Sequence, residues 1–187
     1  MTGPRPTFEG MGRSLAASLV IVLVLPPLTS ADPHSGFRVR LGRAQGAAVR
    51  TALLGASLRL SDARCRGILS DFHDRAGRSL ADLSDETGIT LVEKLGRVVF
   101  ADGVGQAACR HPDVIAGTTP GSRVVYVCGT RFWRLQARDP VRAEAILIHE
   151  FLHTLGLPEN PPDSRTITEA VLARCGRNKL VLAALPE

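Results

Sequence analysis

The stretch from Leu147 to Glu159 constrains this chain more than any other, because it contains the pattern H-E-x-x-H. Two histidines four residues apart lie on one face of a helix, where both imidazoles can reach the same ion. Glu150 is rotated about 100° around the helix from the first histidine, so it can reach a metal-bound water without coordinating the metal. The spacing predicts a zinc site with His149 and His153 as ligands and Glu150 as general base.

The helix that carries this pattern has a clear beginning and end. Asp139 is a good N-cap and Pro140 suits the first helical position. Gly156 suits the left-handed position that ends a helix, and Pro158 prevents the helix from resuming. Residues 140–155 are apolar on nearly every face, which is typical of a buried helix. Buried histidines and a buried glutamate need partners, and a metal ion would supply one.

Catalytic zinc usually has three protein ligands, so a third must be found outside the two histidines. Glu159 is our first candidate, because Gly156 allows the chain to turn sharply and to fold back toward the imidazoles. Glu169, on the next predicted helix, is the second candidate and Asp163 is the third. His111 is a weaker candidate, since a histidine before a proline in a loop is more often exposed.

Residues 1–31 have the features of a secretory signal peptide. Arg5 and Arg13 form a basic region, and Ser14 to Leu25 is an apolar run too short to span a bilayer. Thr29 to Ala31 fits a small-residue cleavage site. We therefore expect a secreted or periplasmic protein with no membrane association after signal removal. An uncleaved membrane anchor is the alternative.

Residues 32–187 suit a single domain in length. The chain is 44% apolar, which is enough for a core, but only 4% aromatic, so Leu, Val, Ala and Ile must build most of that core. The net charge of +5 is spread along the sequence, with no basic cluster interleaved with aromatics. Nucleic acid is therefore not indicated as a partner, and we expect a monomer that acts on a peptide or protein.

The four cysteines are Cys65, Cys109, Cys128 and Cys175. An even number in an exported chain predicts two disulfides, for which three connectivities are possible. Of these we favour Cys109–Cys128 with Cys65–Cys175. A cysteine zinc site is not favoured, because no two of the four have C-x-x-C spacing.

The periodicity of the remaining chain predicts an α+β fold. Helices are expected over 44–60, over 62–76 with Ser61 as its cap, over 80–87 as a short turn, and over 168–174 with Ser164 or Thr166 as its cap. Strands are expected over 89–92, 97–101 and 123–128, and residues 107–122 are expected to be a loop.

The motif His149-Glu150-x-x-His153-x-x-Gly156-x-x-Glu159 resembles the extended zinc signature of the metzincin clan of zincin metallopeptidases. That signature ends in His or Asp, so Glu159 departs from it. The clan's methionine turn is also absent, because Met1 and Met11 both lie in the signal segment. The wider stretch from His149 to Ser164 is similar to a group of small exported bacterial proteins with no assigned substrate.

The resemblance implies a compact zincin fold, in which a small mixed sheet packs on a buried metal-binding helix with further helices beside it. It also implies an edge strand along the cleft, for which 123–127 is the candidate. The expected activity is that of a zinc-dependent endopeptidase, with Tyr126 or His111 as a possible second donor to the oxyanion. Two alternatives remain: a non-catalytic zincin-fold binding or assembly protein with a structural metal, and a metal-free, disulfide-stabilised export protein.

Overall fold

The computed structural model of the protein describes residues 36–176, and Gly3 near the N-terminus. The predicted signal peptide, residues 1–31, and the apolar tail at 181–185 lie outside the described residues. Within the described part, no helix is long and apolar enough to cross a membrane.

A four-stranded mixed sheet forms one layer of the fold. Its strands are β1 (Arg38–Arg40), β2 (Val99–Asp102), β3 (Ala116–Gly117) and β4 (Val124–Val127). The strand order is β1-β2-β4-β3, with β1, β2 and β4 parallel and β3 antiparallel to β4. Together with the helices, this sheet confirms the prediction of an α+β fold.

Most of the described chain is helical. The helices are α1 (Arg43–Ser61), α2 (Ala63–Arg66), α3 (Ile68–Asp71), α4 (Leu80–Asp85), α5 (Leu91–Arg97), α6 (Ala107–Arg110), α7 (Gly129–Arg138), α8 (Pro140–Thr154) and α9 (Ser164–Cys175). Helix α8 lies at the centre and packs against α1, α7 and α9. Its apolar side chains join the core with those of α1 and the sheet.

Helix α8 begins and ends as its sequence predicts. The carboxylate of Asp139 accepts a hydrogen bond from the backbone N–H of Arg142 at 3.0 Å, and Pro140 occupies the first turn. At the other end Gly156 has a φ of 113°, a conformation in which a side chain would be strained. This stop turns the chain back toward the histidines.

A buried ion pair joins α1 to α8. Arg59 on α1 pairs with Glu144 on α8, and it also donates a hydrogen bond to the carbonyl of Cys175 at the end of α9. Gly55 allows this approach, because a Cβ there would collide with the Glu144 carboxylate. Arg59 therefore connects α1, α8 and α9, and removal of either charge of the pair would leave the other without its partner in a largely buried place.

Both predicted disulfides are present. Cys65 pairs with Cys175, joining α2 to the end of α9, and Cys109 pairs with Cys128, joining α6 to the end of β4. All four cysteines are thus used, which agrees with an oxidising compartment.

The predicted helix over 62–76 is wrong in extent. It forms two short helices, α2 and α3, with Gly67 between them, and Asp62 caps the first instead of Ser61. Beyond α3 the Asp74 carboxylate accepts hydrogen bonds from the backbone N–H groups of Ala76 and Arg78. This local turn competes successfully with helix propagation.

The predicted strand over 89–92 is also wrong, because the chain there enters α5. The Thr90 hydroxyl accepts from the backbone N–H of Glu93 at 3.2 Å, and the Glu93 carboxylate accepts from the backbone N–H of Thr90 at 2.8 Å. This reciprocal arrangement is a capping box, and it outweighs the β-branched composition of the segment.

Three further expectations need correction. The strand predicted at 123–128 exists as β4, but it lies inside the sheet, and the edge next to it is β3. Residues 107–122, expected to be a loop, contain α6 and β3, which are too short to show a periodic signal. The last helix begins at Ser164, and its cap is Asp163 instead of Ser164 or Thr166.

Candidate metal centre

His149 and His153 lie on one face of α8 with their Nε2 atoms 3.0 Å apart, and each side chain is at most 3% exposed. The Nδ1 atom of His153 lies 2.8 Å from the carbonyl oxygen of Leu157. A carbonyl can only accept a hydrogen bond, so Nδ1 must carry the proton. The neutral His153 ring therefore has its lone pair on Nε2, facing His149.

Thr168, a buried residue of α9, orients the other histidine. Its Oγ1 lies 2.9 Å from Nδ1 of His149. When the hydroxyl accepts this hydrogen bond, the lone pair of His149 is also on Nε2. Two lone pairs 3.0 Å apart repel each other unless a proton or a cation lies between them. The arrangement therefore fits a bound metal ion.

Glu159 completes a group of three residues that could hold a metal ion. Each of the residues His149, His153 and Glu159 offers one ligand atom, and these three atoms lie within 4.8 Å of one another. In a tetrahedral zinc site neighbouring ligand atoms lie about 3.4 Å apart, so a small inward movement of the exposed Glu159 would complete the geometry. The competing acids are elsewhere: Asp163 caps α9, and Glu169 lines a separate pocket.

Glu150 is buried beside the histidines, with 6% of its surface exposed. Among the described residues, its Oε2 atom has no hydrogen-bond partner. Burial raises the pKa of Glu150 to about 8, with a further contribution from the negative charge of Glu159 and an opposing one from the backbone N–H of Thr118. A buried carboxylate oxygen without a partner is costly, and a nearby cation or a bound water would offset that cost.

The electrostatics of His149 suit a metal ligand. Burial and, to a smaller extent, the neighbouring His153 together lower the pKa of His149 to about 3. The ring is therefore neutral across the physiological pH range, which is the protonation state in which imidazole binds metals.

These residues face a cavity of about 270 Å³, which we call the histidine cleft. Its floor is the face of α8 that carries His149 and His153, and its wall is formed by β3 and Thr118. The Cys109–Cys128 disulfide and Arg131, which donates to the carbonyls of Cys109 and His111, hold the segment that precedes this wall. Neither the His111 nor the Tyr126 side chain lines the cleft.

The sequence interpretation missed three parts of this site. Thr168 lies fifteen positions beyond His153, and no spacing rule connects it to His149. The Leu157 carbonyl is a backbone group, so it has no sequence signal of its own. Strand β3 is only two residues long.

The fold and the site thus define an α+β protein with a His, His and Glu group that could hold a metal ion. Comparisons with models of protein families, with curated protein sequences and with solved structures find no match to this chain. The resemblance to the metzincin clan therefore remains a prediction that rests on the motif.

Proposed function

We propose that this protein is an exported zinc-dependent metallopeptidase with a zincin-like fold. The observation that carries the proposal is the position of Glu150. Its buried carboxylate lines the same cleft as the two histidines and Glu159, and its Oε2 atom has no partner among the described residues. A purely structural metal site has no need of such a group, whereas hydrolysis needs a general base within reach of the attacking water.

His149, His153 and Glu159 are the residues that would hold the metal. Two imidazoles and one carboxylate are a donor set that zinc accepts in catalytic sites, and both rings are fixed by hydrogen bonds at their Nδ1 atoms. When bound, zinc lowers the pKa of water toward neutrality and polarises a carbonyl.

Glu150 would accept the proton of the attacking water and deliver a proton to the leaving amine. Its carboxylate is fixed on a rigid, central helix, so little reorganisation is needed during the reaction. The buried ion pair between Arg59 and Glu144 supports the rigidity of α8, because Glu144 lies on the same helix, six residues before Glu150.

The peptide substrate would lie along β3. This strand is the edge of the sheet beside the cleft, since it pairs with β4 on one side only. An extended peptide can add to such an edge through main-chain hydrogen bonds. Ala116, Gly117 and Thr118 line the cleft, so a peptide paired with β3 would pass the histidines.

Replacement of the base tests the proposal. We expect the mature protein with Glu150→Gln to keep its zinc and its fold, and to lose at least about a thousandfold in peptide hydrolysis because the base is gone. Digestion of a mixed peptide library, followed by mass spectrometry, measures the activity. Equal cleavage by the zinc-loaded wild-type and variant proteins would refute this role for Glu150. Zinc binding without any cleavage by the wild type would favour a binding or assembly protein with a structural metal.

A further inference from the structure

A second and larger cavity opens beside the histidine cleft, between α7, α8 and α9, with a volume of about 900 Å³. Five arginines line it, and we call it the arginine pocket: Arg131, Arg134, Arg138, Arg142 and Arg165. Two carboxylates, those of Asp113 and Glu169, face the same space, which leaves an excess of positive charge. We propose that this pocket recognises acidic side chains of a peptide substrate.

Three elements contribute these arginines. Residues 131, 134 and 138 follow the helical spacing that places side chains on one face of α7. Arg142 comes from α8 and Arg165 from α9. The cluster is therefore assembled by the fold, although the charges look scattered in the sequence.

Four of the five guanidinium groups are free to bind a ligand. Arg131 is occupied, because it donates hydrogen bonds to the carbonyls of Cys109 and His111. Across residues 36–176, the side chains of the other four, Arg134, Arg138, Arg142 and Arg165, make no salt bridge or hydrogen bond. Like charges gathered at one place repel each other, and an anionic ligand would relieve that repulsion.

Arg142 and Arg165 lie in the first turns of α8 and α9, beside the capping residues Asp139 and Asp163. The pKa of Asp163 is lowered chiefly by the hydrogen bond from the backbone N–H of Thr166, with a smaller contribution from the positive charge of Arg165. Both arginine side chains are exposed and make no salt bridge among residues 36–176, so they remain available to an anionic ligand.

The pocket adjoins the histidine cleft. The two cavities share Asp113, Ile115, Ile146 and Ser164. Arg142 precedes His149 by seven residues on α8, which is about 10 Å along the helix axis. An extended peptide advances about 3.3 Å per residue, so a side chain roughly three residues from the cleaved bond would reach the pocket. This register depends on the proposed peptidase function.

The ligand chemistry favours a carboxylate on a peptide. Guanidinium groups bind carboxylates through paired, charge-assisted hydrogen bonds. The walls also contain the aliphatic side chains of Ile115, Leu135 and Leu172, which suit the methylene groups of Glu. No aromatic side chain lines the pocket, so the stacking platform typical of single-stranded nucleic-acid sites is missing there.

Binding of matched peptides tests the inference without relying on turnover. Each peptide has blocked ends and the same central residues. At one of the five positions on either side of the centre it carries Glu or, in the matched control, Gln. Fluorescence polarisation measures their binding to the zinc-loaded Glu150→Gln protein. We expect Glu roughly three residues from the centre to lower Kd about tenfold relative to Gln, through charge-assisted hydrogen bonds to arginine.

Two double variants separate this pocket from general charge effects. Arg142→Gln with Arg165→Gln should abolish the preference for Glu. Its thermal midpoint should stay within about 3 °C of that of the wild type, because both side chains are exposed. Arg38→Gln with Arg40→Gln removes the same charge from β1, at the opposite edge of the sheet from β3, and should keep the preference.

Equal binding of Glu and Gln peptides at every position would overturn the inference. A Glu preference that survives in the pocket variant would overturn it as well, and so would tighter binding of a single-stranded DNA oligonucleotide than of the acidic peptide. Cleavage of the same peptides by the zinc-loaded wild type is measured in parallel. Selective binding without cleavage would refute the proposed peptidase function and leave the acidic-peptide site standing.

Discussion

The histidine cleft and the arginine pocket share a wall but are built in opposite ways. The cleft is small, its histidines and Glu150 are buried, and hydrogen bonds at Nδ1 fix both histidine rings. The pocket is more than three times larger, and most of its arginines are exposed. The difference teaches that catalysis requires groups that are fixed in place before the reaction. Selection of a charged substrate requires only that several side chains of the same charge line one cavity. In the proposed function, the cleft would cleave the peptide bond and the pocket would set the substrate preference.

The largest expected effect concerns α9, which supplies Thr168, the hydrogen-bond partner of His149, and Arg165 of the arginine pocket. The Cys65–Cys175 disulfide spans 110 residues, and the double replacement by Ala should lower the free energy of unfolding by about 4–5 kcal/mol, through the greater entropy of the unfolded chain. Chemical denaturation measures this loss.

The Cys109–Cys128 pair spans 19 residues, and its removal should cost less, about 3 kcal/mol. A larger loss of stability here than for Cys65–Cys175 would contradict the account, because the entropic effect of a disulfide grows with the length of the loop that it closes. The Cys109–Cys128 disulfide holds the wall that the two cavities share.

Next in size is the loss of the third ligand. Glu159→Ala should weaken zinc binding by more than about 100-fold, because a ligand matters more than the outer partners that typically contribute 10- to 100-fold. Asp163→Ala and Glu169→Ala are the matched controls, and both should keep zinc affinity near that of the wild type. Competition with a chromophoric chelator measures the affinities. If one of these controls loses zinc while Glu159→Ala keeps it, the acid replaced in that control is the third ligand instead of Glu159.

Thr168→Val should have a smaller effect, and mainly on zinc binding, although Thr168 also lines the arginine pocket. It keeps the volume of the side chain but removes the hydrogen bond to Nδ1 of His149. We expect zinc affinity to fall about 10- to 100-fold and the Glu preference of the pocket to remain. Thr168→Ser retains the hydroxyl and should stay close to the wild type. Equal affinities for the Val and Ser variants would show that the hydroxyl does not orient the ring.

The smallest expected effect is that of salt concentration, which should differ between the exposed arginine pocket and the buried histidine cleft. Raising the ionic strength from about 0.05 to 0.5 M shortens the Debye length severalfold and should weaken the preference for Glu over Gln peptides by about threefold. The affinity for zinc, held by buried ligands, should change less. Polarisation titrations and chelator competition at the same two salt concentrations provide the comparison. Equal salt dependence of the two affinities would contradict the division of roles.

The sequence predicted best where the determinants are close together in the chain. Helix α8, its Asp139 cap and its stop at Gly156 were all predicted, because each depends on residues within one or two turns. Helix α5 was missed although its signal is equally local, since the capping box of Thr90 and Glu93 was overlooked in favour of β-branched composition.

The remaining features depend on residues that are distant in sequence. The role of Thr168 requires α9 to pack on α8, and the identity of the edge strand requires the sheet order. The arginine pocket was missed for the same reason, because the net charge looks dispersed until α7, α8 and α9 are brought together. Periodicity and spacing do not contain that information.

The central claim is that His149, His153 and Glu159 bind a catalytic zinc ion. The most direct measurement is the zinc content of the purified mature protein by mass spectrometry, beside the His153→Ala variant and a His111→Ala control that removes an exposed histidine. We predict one zinc per chain in the wild type and in the control, and none in His153→Ala. A folded wild-type protein that binds no zinc, even when zinc is supplied, would contradict the account.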